Sequence, residues 1–245
     1  MNSTRCTSST SRQAPEEILD ENTVPDVLAD TPGTSPGIVA LSCSPRAGGN
    51  SDHACRLFIE GVRAAGGESQ FIPLRHYTVR HCISCQRCEH TPARNCFLEG
   101  TDQSGPLFRL LLQAPVLFFA CPIYFYHVPS LFKAWIDRGQ AFWMRRQAGD
   151  PTMLALPPRK AYLAMMGARL KGDKLFEGSL LSLKIFLQPF NITLEDPLLL
   201  YGMDGPQDLR QTQDAVERLR AMGHAAANTA LLSPGAPSSA NVSPA

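Results

Sequence analysis

Short apolar runs alternate with amphipathic stretches through most of the chain, and the two patterns predict different elements. The run from Ile38 to Ser42 ends in a loop rich in Pro and Gly, which is typical of a buried strand followed by a turn. The run from Pro115 to Cys121 is apolar throughout, as expected of a central parallel strand covered on both faces. Pro197 indicates a bulge or an edge position in the last strand. The predicted strands are 38–42, 69–74, 115–121, 161–166 and 192–200.

Helices are predicted between these strands because apolar residues recur there at helical spacing. The predicted helices begin near residues 51, 102, 130, 174 and 208. The third is expected to reach about Trp143, and residues 145–158, rich in Arg, Gly and Pro, are expected to form a surface excursion. The last helix is expected to end at Met222, because Gly223 is a typical helix stop.

The alternation of strands and helices predicts an α/β fold with a doubly wound five-stranded parallel sheet. Right-handed crossovers place every strand-to-helix loop at one edge of such a sheet. Ligands bind at that edge, at the switch point between the first and third strands. The loops at 42–51 and 122–129 both belong there, so we expect them to form one site.

Composition divides the chain into three zones. Residues 1–36 are predicted to be a disordered leader, 37–223 a domain with a cysteine insertion near 80–100, and 224–245 a flexible tail. A net charge of +1 argues against nucleic acid as a partner, and the apolar runs are too short to span a membrane. With eight cysteines and no secretory signal, we expect a reducing compartment and a cytoplasmic protein.

The loop Ser42-Cys-Ser-Pro-Arg-Ala-Gly-Gly-Asn-Ser51 has the chemistry of a phosphate site. Its two glycines let backbone amides approach an anion, and the following helix directs its positive end to the same place. Ser44, Asn50 and Ser51 offer donors, and Arg46 offers charge. An ordinary tight turn with helix capping is the alternative interpretation.

Four cysteines follow in a second motif: Cys82, Cys85, Cys88 and Cys96 are separated by gaps of two, two and seven residues. Thiolates at this spacing can hold a [4Fe–4S] cluster. Zinc is a rival, although zinc sites more often pair two Cys-x-x-Cys knuckles across a dozen or more residues. Free or packed loop thiols are the third interpretation. Cys43, Cys55 and Cys121 fall on predicted strands or helices and are expected in the core.

These segments together resemble the NAD(P)H-dependent FMN reductases of the flavodoxin-like superfamily, which implies a sheet of order 2-1-3-4-5 in three α/β/α layers. The resemblance rests on the loop at 42–51, on Cys-Pro-Ile-Tyr-Phe at 121–125, and on Leu-Phe-Lys-Ala-Trp-Ile-Asp-Arg at 131–138. The cysteine segment is similar to the compact motif of the iron–sulfur flavoproteins, a branch of the same family.

The resemblance implies FMN, with its phosphate on Ser44, Arg46, Asn50 and Ser51. The flavin ring would lie along the second loop, with Gly167 and Ala168 on its far side. His127 is a candidate proton donor, with a hydrogen bond to a nearby carbonyl as the alternative. The implied ring contacts are Pro122, Ile123, Tyr124, Phe125 and Gly167.

Two hypotheses for the function share this flavin. In the first, an iron–sulfur flavoprotein couples two-electron flavin chemistry to a one-electron cluster on Cys82, Cys85, Cys88 and Cys96. In the second, an NAD(P)H-dependent reductase of flavins or quinones carries no cluster. A zinc-knuckle binding module is a third hypothesis from another class. The family further implies a homo-oligomer, a ferredoxin-like carrier or NAD(P)H as redox partner, and a small-molecule acceptor.

Overall fold

The computed structural model describes residues 37–232, so the predicted leader and residues 233–245 lie outside the described residues. A parallel sheet forms the centre of the domain, with the spatial order β2-β1-β3-β4-β5 and with β6 also paired to β4. This confirms the predicted strand order. The strands are β1 Ile38–Ser42, β2 Ser69–Pro73, β3 Val116–Pro122, β4 Arg159–Gly167, β5 Ile192–Leu194 and β6 Leu198–Tyr201.

Helices cover both faces of the sheet. They are α1 Asn50–Ala64, α2 Arg87–His90, α3 Ser104–Gln113, α4 Ser130–Arg138, α5 Gln140–Gln147, α6 Pro151–Leu154, α7 Glu177–Leu187 and α8 Gln213–Leu232. Within residues 37–232, none of these helices has the length and apolar character needed to cross a bilayer.

Two apolar clusters flank the sheet because successive side chains of each strand point to opposite faces. On one face, Phe119 of β3 packs with Phe132 and Trp135 of α4. On the other face, Phe118 stacks on Phe58 of α1 at a centroid distance of 4.2 Å. The alternation along β3 thus explains why that strand is apolar throughout.

The last helix extends past Gly223, contrary to the prediction. A Cβ atom at Gly223 would collide with the carbonyl of Phe58, and one at Gly61 would collide with that of Arg220. Glycine is therefore required here for close packing of α1 against α8, and it does not end the helix. The predicted tail is wrong for residues 224–232, which belong to α8 and bury Ala226 and Ala227.

The predicted fifth strand is divided in two. β5 pairs with the first part of β4 and β6 with its second part, on the same side. The break falls at 195–197, where Pro197 has no N–H to donate. The bulge and edge position predicted from Pro197 are thus confirmed.

Two further expectations need correction around α4. The predicted helix from 130 to 143 is divided at Gly139, where the Phe186 ring approaches too closely for a larger side chain. The stretch 145–158 is more than a surface excursion, because it contains the end of α5 and all of α6. Met153 of α6 is fully buried, and its carbonyl accepts a hydrogen bond from Arg146.

Candidate functional site

Three loops meet at the carboxyl edge of the sheet because β1, β3 and β4 are neighbours. Ser42 is in register with Ala120, and the amide of Cys43 donates to the carbonyl of Ala120 at 2.9 Å. Beyond the end of β3, the amide of Ile123 donates to the carbonyl of Met166 at 2.9 Å. The structure therefore brings together the loop after β1, the loop at 122–129 and the loop that follows Gly167.

The loop after β1 is shaped by its own hydrogen bonds. Gly48 has a φ of +65°, a conformation that glycine adopts without strain. The hydroxyl of Ser44 accepts from the amide of Arg46 at 3.1 Å. The Arg46 side chain is exposed and passes beside Gly49. It is therefore able to turn toward a ligand above the start of α1.

Asn50 and Ser51 lie at the start of α1 with their side chains already engaged. The Asn50 amide donates to the carbonyl of Gly205 at 2.8 Å and accepts from the amide of Leu209 at 3.2 Å. The Ser51 hydroxyl is buried against the sulfur of Met166, 3.8 Å away. Because the first amides of a helix have no hydrogen-bond partner within the helix, Asn50 and Ser51 can offer an anion their backbone N–H groups in this arrangement.

Asp52, in the first turn of α1, supports this loop and was not identified from the sequence. Its buried carboxylate accepts from the Gly48 amide at 2.8 Å, from the Ser42 hydroxyl, and from Arg75 at 2.9 and 3.0 Å. It therefore holds the loop against the ends of β1 and β2. An acidic residue in the first turn of the helix was the available signal, but its arginine partner lies 23 residues away.

The second loop presents aromatic side chains on a strained turn. Tyr124 and His127 exchange two backbone hydrogen bonds, at 2.8 and 3.0 Å, and form a two-residue turn. The central residues, Phe125 and Tyr126, have φ values of 49° and 61°, which non-glycine residues seldom adopt. Phe125 is fully exposed. Strained turns of this kind are concentrated at ligand sites.

His127 turns away from the aromatic tip. Its Nε2 atom lies 3.0 Å from the hydroxyl of Ser182 on α7, so its partner is a hydroxyl and not the predicted carbonyl. Burial lowers the pKa of His127, and the nearby charge of Lys133 lowers it further. The ring is therefore neutral at pH 7 and ties the second loop to α7.

Gly167 ends β4 beneath the third loop. It is buried, and Leu175 covers it so closely that a Cβ atom there would collide with the Leu175 side chain. The Gly167 carbonyl accepts from the amide of Met203 at 3.0 Å. Ala168, next along the chain, is exposed at the edge of the site.

The cysteine segment forms a second site, whose lining residues belong to none of the sheet-edge loops. Its thiols line one cavity of about 420 Å³, bounded on the other side by the junction of α4 and α5. Positive φ angles at Ser84 and Gln86 turn the chain sharply between successive cysteines. The four cysteines of this cavity are Cys82, Cys85, Cys88 and Cys96.

The donor set of this cavity suits a thiolate-bound cluster. The four thiols line the same cavity, and burial raises the pKa of Cys88. Among residues 37–232, however, no three His, Cys, Asp or Glu side chains are arranged as a ready metal site. The cysteines would have to rotate toward a common centre to bind one. Cys43, Cys55 and Cys121 are buried, as expected.

Comparison with solved structures supports the fold. The domain is similar to a flavone reductase, with a TM-score of 0.57 and 17% identity, over 79% of this chain and 62% of that chain. It is also similar to an NAD(P)H:quinone oxidoreductase from Methanothermobacter marburgensis, with a TM-score of 0.53 and 18% identity, over 78% of this chain and 98% of that one. At these identities the likeness concerns the fold alone.

Comparison of sequences is more specific. The chain is 24% identical over 116 residues to an iron–sulfur flavoprotein of Methanocaldococcus jannaschii, a match that covers 46% of this chain and 58% of the relative. The chain thus spans just over half the length of that curated relative. Residues 36–168 match the family described as NADPH-dependent FMN reductase, and this range contains both sheet-edge loops and the cysteine segment. The chain belongs to the NADPH-dependent FMN reductase family.

Proposed function

We propose that the protein is an FMN-dependent oxidoreductase. The observation that carries the proposal is the register of β1 with β3, which places the Gly48–Gly49 loop beside the aromatic loop at 122–129. The first loop has helix amides and an exposed arginine suited to a phosphate, and the second has apolar and aromatic groups suited to a flat ring. FMN, when bound, supplies hydride and electron transfer.

The two loops would divide the binding of FMN between them. Backbone amides at the start of α1 would hold the phosphate with Ser44 and Arg46, while Asn50 and Ser51 would fix the loop through their side chains. Pro122, Ile123, Tyr124 and Phe125 would provide one wall for the ring. Gly167 would lie beneath the opposite wall. His127, bonded to Ser182, would hold the second loop in place; to act as the candidate proton donor to an acceptor, its ring would first have to take up a proton.

We further propose that the four loop cysteines hold a [4Fe–4S] cluster, which transfers one electron at a time. Support comes from the shared cavity and from the iron–sulfur flavoprotein among the relatives. A reductase without a cluster, using NAD(P)H as donor, has equal support, because family membership concerns the flavin alone. Zinc on the same thiols is a further alternative.

The remaining roles follow from this proposal. A ferredoxin-like carrier or NAD(P)H would exchange electrons with the protein, and a small molecule such as a quinone would be the acceptor. We expect a homo-oligomer working in the cytoplasm. The net charge of +1 favours such partners over nucleic acid.

One preparation tests these alternatives. The full chain is purified without oxygen, and FMN, iron, acid-labile sulfide and zinc are measured per chain together with the absorption spectrum. FMN with about four irons and four sulfides per chain supports the iron–sulfur flavoprotein. FMN without iron, with oxidation of NADPH or NADH, supports the reductase. Zinc without FMN would contradict the proposed function.

Two substitutions separate the two centres. Cys88→Ser should abolish iron binding and leave FMN content unchanged, because the sites use different loops. Arg46→Ala should weaken FMN binding and leave iron content unchanged. Loss of both cofactors from either variant, in a protein that stays folded, would contradict the separation.

A further inference from the structure

Arg138 is a buried arginine that connects α4 with the cysteine segment. It ends α4, a helix about 13 Å long that begins directly after the aromatic loop. Its side chain is only 1% exposed, as is that of its ion-pair partner Asp102. An ion pair this deeply buried is costly unless each donor and acceptor has a partner, so its contacts are informative.

The hydrogen bonds of Arg138 and Asp102 hold the two ends of the cysteine segment together. Arg138 Nη1 donates to Asp102 at 2.6 Å and to the carbonyl of Arg80 at 3.1 Å, and Nη2 donates to the hydroxyl of Ser104 at 3.0 Å. Asp102 also accepts from the amide of Arg80 at 2.8 Å and from the amide of Ser104 at 3.0 Å. Both ends of the segment from 80 to 104 are thereby fixed to one ion pair.

The Nε donor of Arg138 has a different target. Its Nε–H is directed at the sulfur of Cys96, 3.1 Å away. The contacts that fix the two ends of the segment from 80 to 104 use only the Nη groups of Arg138. They therefore do not account for the bond from Nε to the Cys96 sulfur. A charged N–H donor stabilises negative charge on sulfur, and hydrogen bonds to ligand sulfurs are one of the determinants of a cluster's reduction potential.

We propose that Arg138 is a positioning residue for the cluster: it fixes the Cys96 sulfur, donates a hydrogen bond to it, and raises the reduction potential. Asp102 orients the guanidinium, as outer-shell carboxylates do at other metal sites. This inference rests on the proposed cluster. A bound cluster would become more negative when a redox partner reduces it, so the Nε–H donor of Arg138 would stabilise the reduced form more than the oxidised form.

The test compares two conservative substitutions at buried arginines. Arg138→Lys keeps a cation but loses the Nε donor. Arg159→Lys is the matched control, because Arg159 is also buried but donates only to carbonyls, those of Leu111, Ala114 and Phe190. Each full-length protein is reconstituted with iron and sulfide without oxygen. Iron content, FMN content and the one-electron potential from a dithionite titration followed by EPR are then measured.

We expect Arg138→Lys to shift the reduction equilibrium at least tenfold toward the oxidised cluster, which is about 59 mV for one electron. FMN content should stay unchanged, and Arg159→Lys should leave the potential as in the wild type. If the wild type binds iron but Arg138→Lys has the wild-type potential, the role of Arg138 is refuted and the cluster stands. If the wild type binds no iron under these conditions, the cluster itself is refuted, and the inference with it.

If Arg138→Lys does not fold, loss of FMN and of cooperative unfolding will reveal it. A second variant keeps the proposal testable in that case. Ser104→Ala removes the hydroxyl that accepts from the guanidinium and donates to Asp102 at 2.6 Å, and it keeps both charges of the ion pair and the Cys96 thiol. It should loosen the orientation of Nε and lower the potential in the same direction, by a smaller amount. A wild-type potential in this folded variant would overturn the proposal.

Discussion

The carboxylate of Asp52 is held by both terminal nitrogens of Arg75, at 2.9 and 3.0 Å, beneath the loop that follows β1. The same carboxylate accepts the amide of Gly48, so the pair connects the end of β2 with the proposed phosphate loop. The shape of that loop therefore depends on a buried ion pair as well as on its glycines.

Asp52→Asn should destabilise the fold and loosen the loop, because it leaves the Arg75 charge, whose side chain is only 13% exposed, without its partner. We expect the free energy of unfolding to fall by about 3 kcal/mol, measured by urea denaturation. FMN affinity, measured by fluorescence quenching, should fall with it. Glu60→Gln is the control, since the Glu60–Arg220 pair is half exposed and should contribute less than about 1 kcal/mol. Equal effects of the two substitutions would contradict the role given to Asp52.

Acid should weaken the fold through His127. Its folded-state pKa lies below 6.5, so the unfolded chain takes up a proton first as the pH falls. Stability is therefore full above pH 6.5 and declines as the pH falls from there toward the folded pKa. Urea midpoints at pH 7.5 and 5.5 should differ more in the wild type than in His127→Gln. An unchanged pH dependence in that variant would refute this assignment.

The aromatic turn should show a conflict between stability and binding. Phe125→Gly and Tyr126→Gly each remove a side chain from a left-handed backbone position, and each should stabilise the protein by about 1 kcal/mol. Only Phe125→Gly should also weaken FMN binding, because Phe125 belongs to the proposed ring wall. Thermal unfolding and FMN titration of both variants provide the test. Unchanged FMN affinity in Phe125→Gly would remove Phe125 from the site.

Thiol labelling should divide the cysteines into two groups. In Cys6→Ser protein without a cluster, four of the seven remaining thiols should react with a disulfide reagent under native conditions. Cys43, Cys55 and Cys121 should react only after unfolding, because burial excludes the reagent and raises the pKa of each. Mass spectrometry of the labelled peptides identifies the sites. Native labelling of Cys121 would contradict the packing at the end of β3.

Substitution by alanine should change the free energy of unfolding in opposite directions at two helical glycines, because only one of them lies where α1 packs against α8. Gly223→Ala should cost about 2 kcal/mol, because the added methyl group collides with the backbone of α1. Gly105→Ala, in α3, should gain about 1 kcal/mol, since a Cβ there meets open space and alanine favours the helix. Urea denaturation of the two variants gives both values. A neutral Gly223→Ala would contradict the close approach.

The sequence predicted what depends on local pattern. Continuous apolar runs predicted the strands, the family resemblance implied their order, and the Pro and Gly residues after β1 predicted the loop at the sheet edge. What it missed depends on partners distant in the chain. The sequence around Gly223 looks the same whether the glycine ends a helix or allows a second helix to pack closely against it. Only its contact with Phe58 distinguishes the two cases. Asp52 and Arg138 likewise resemble ordinary surface charges until the fold supplies Arg75 and Cys96 as partners.

The break at Pro197 has a consequence for how copies of the chain can associate. An uninterrupted outer strand offers a continuous row of amides and carbonyls, on which another chain can add a strand and begin to aggregate. β5 and β6 are too short and too kinked to serve as such a template. Assembly of this protein on that side must therefore use side-chain surfaces rather than an extended intermolecular sheet.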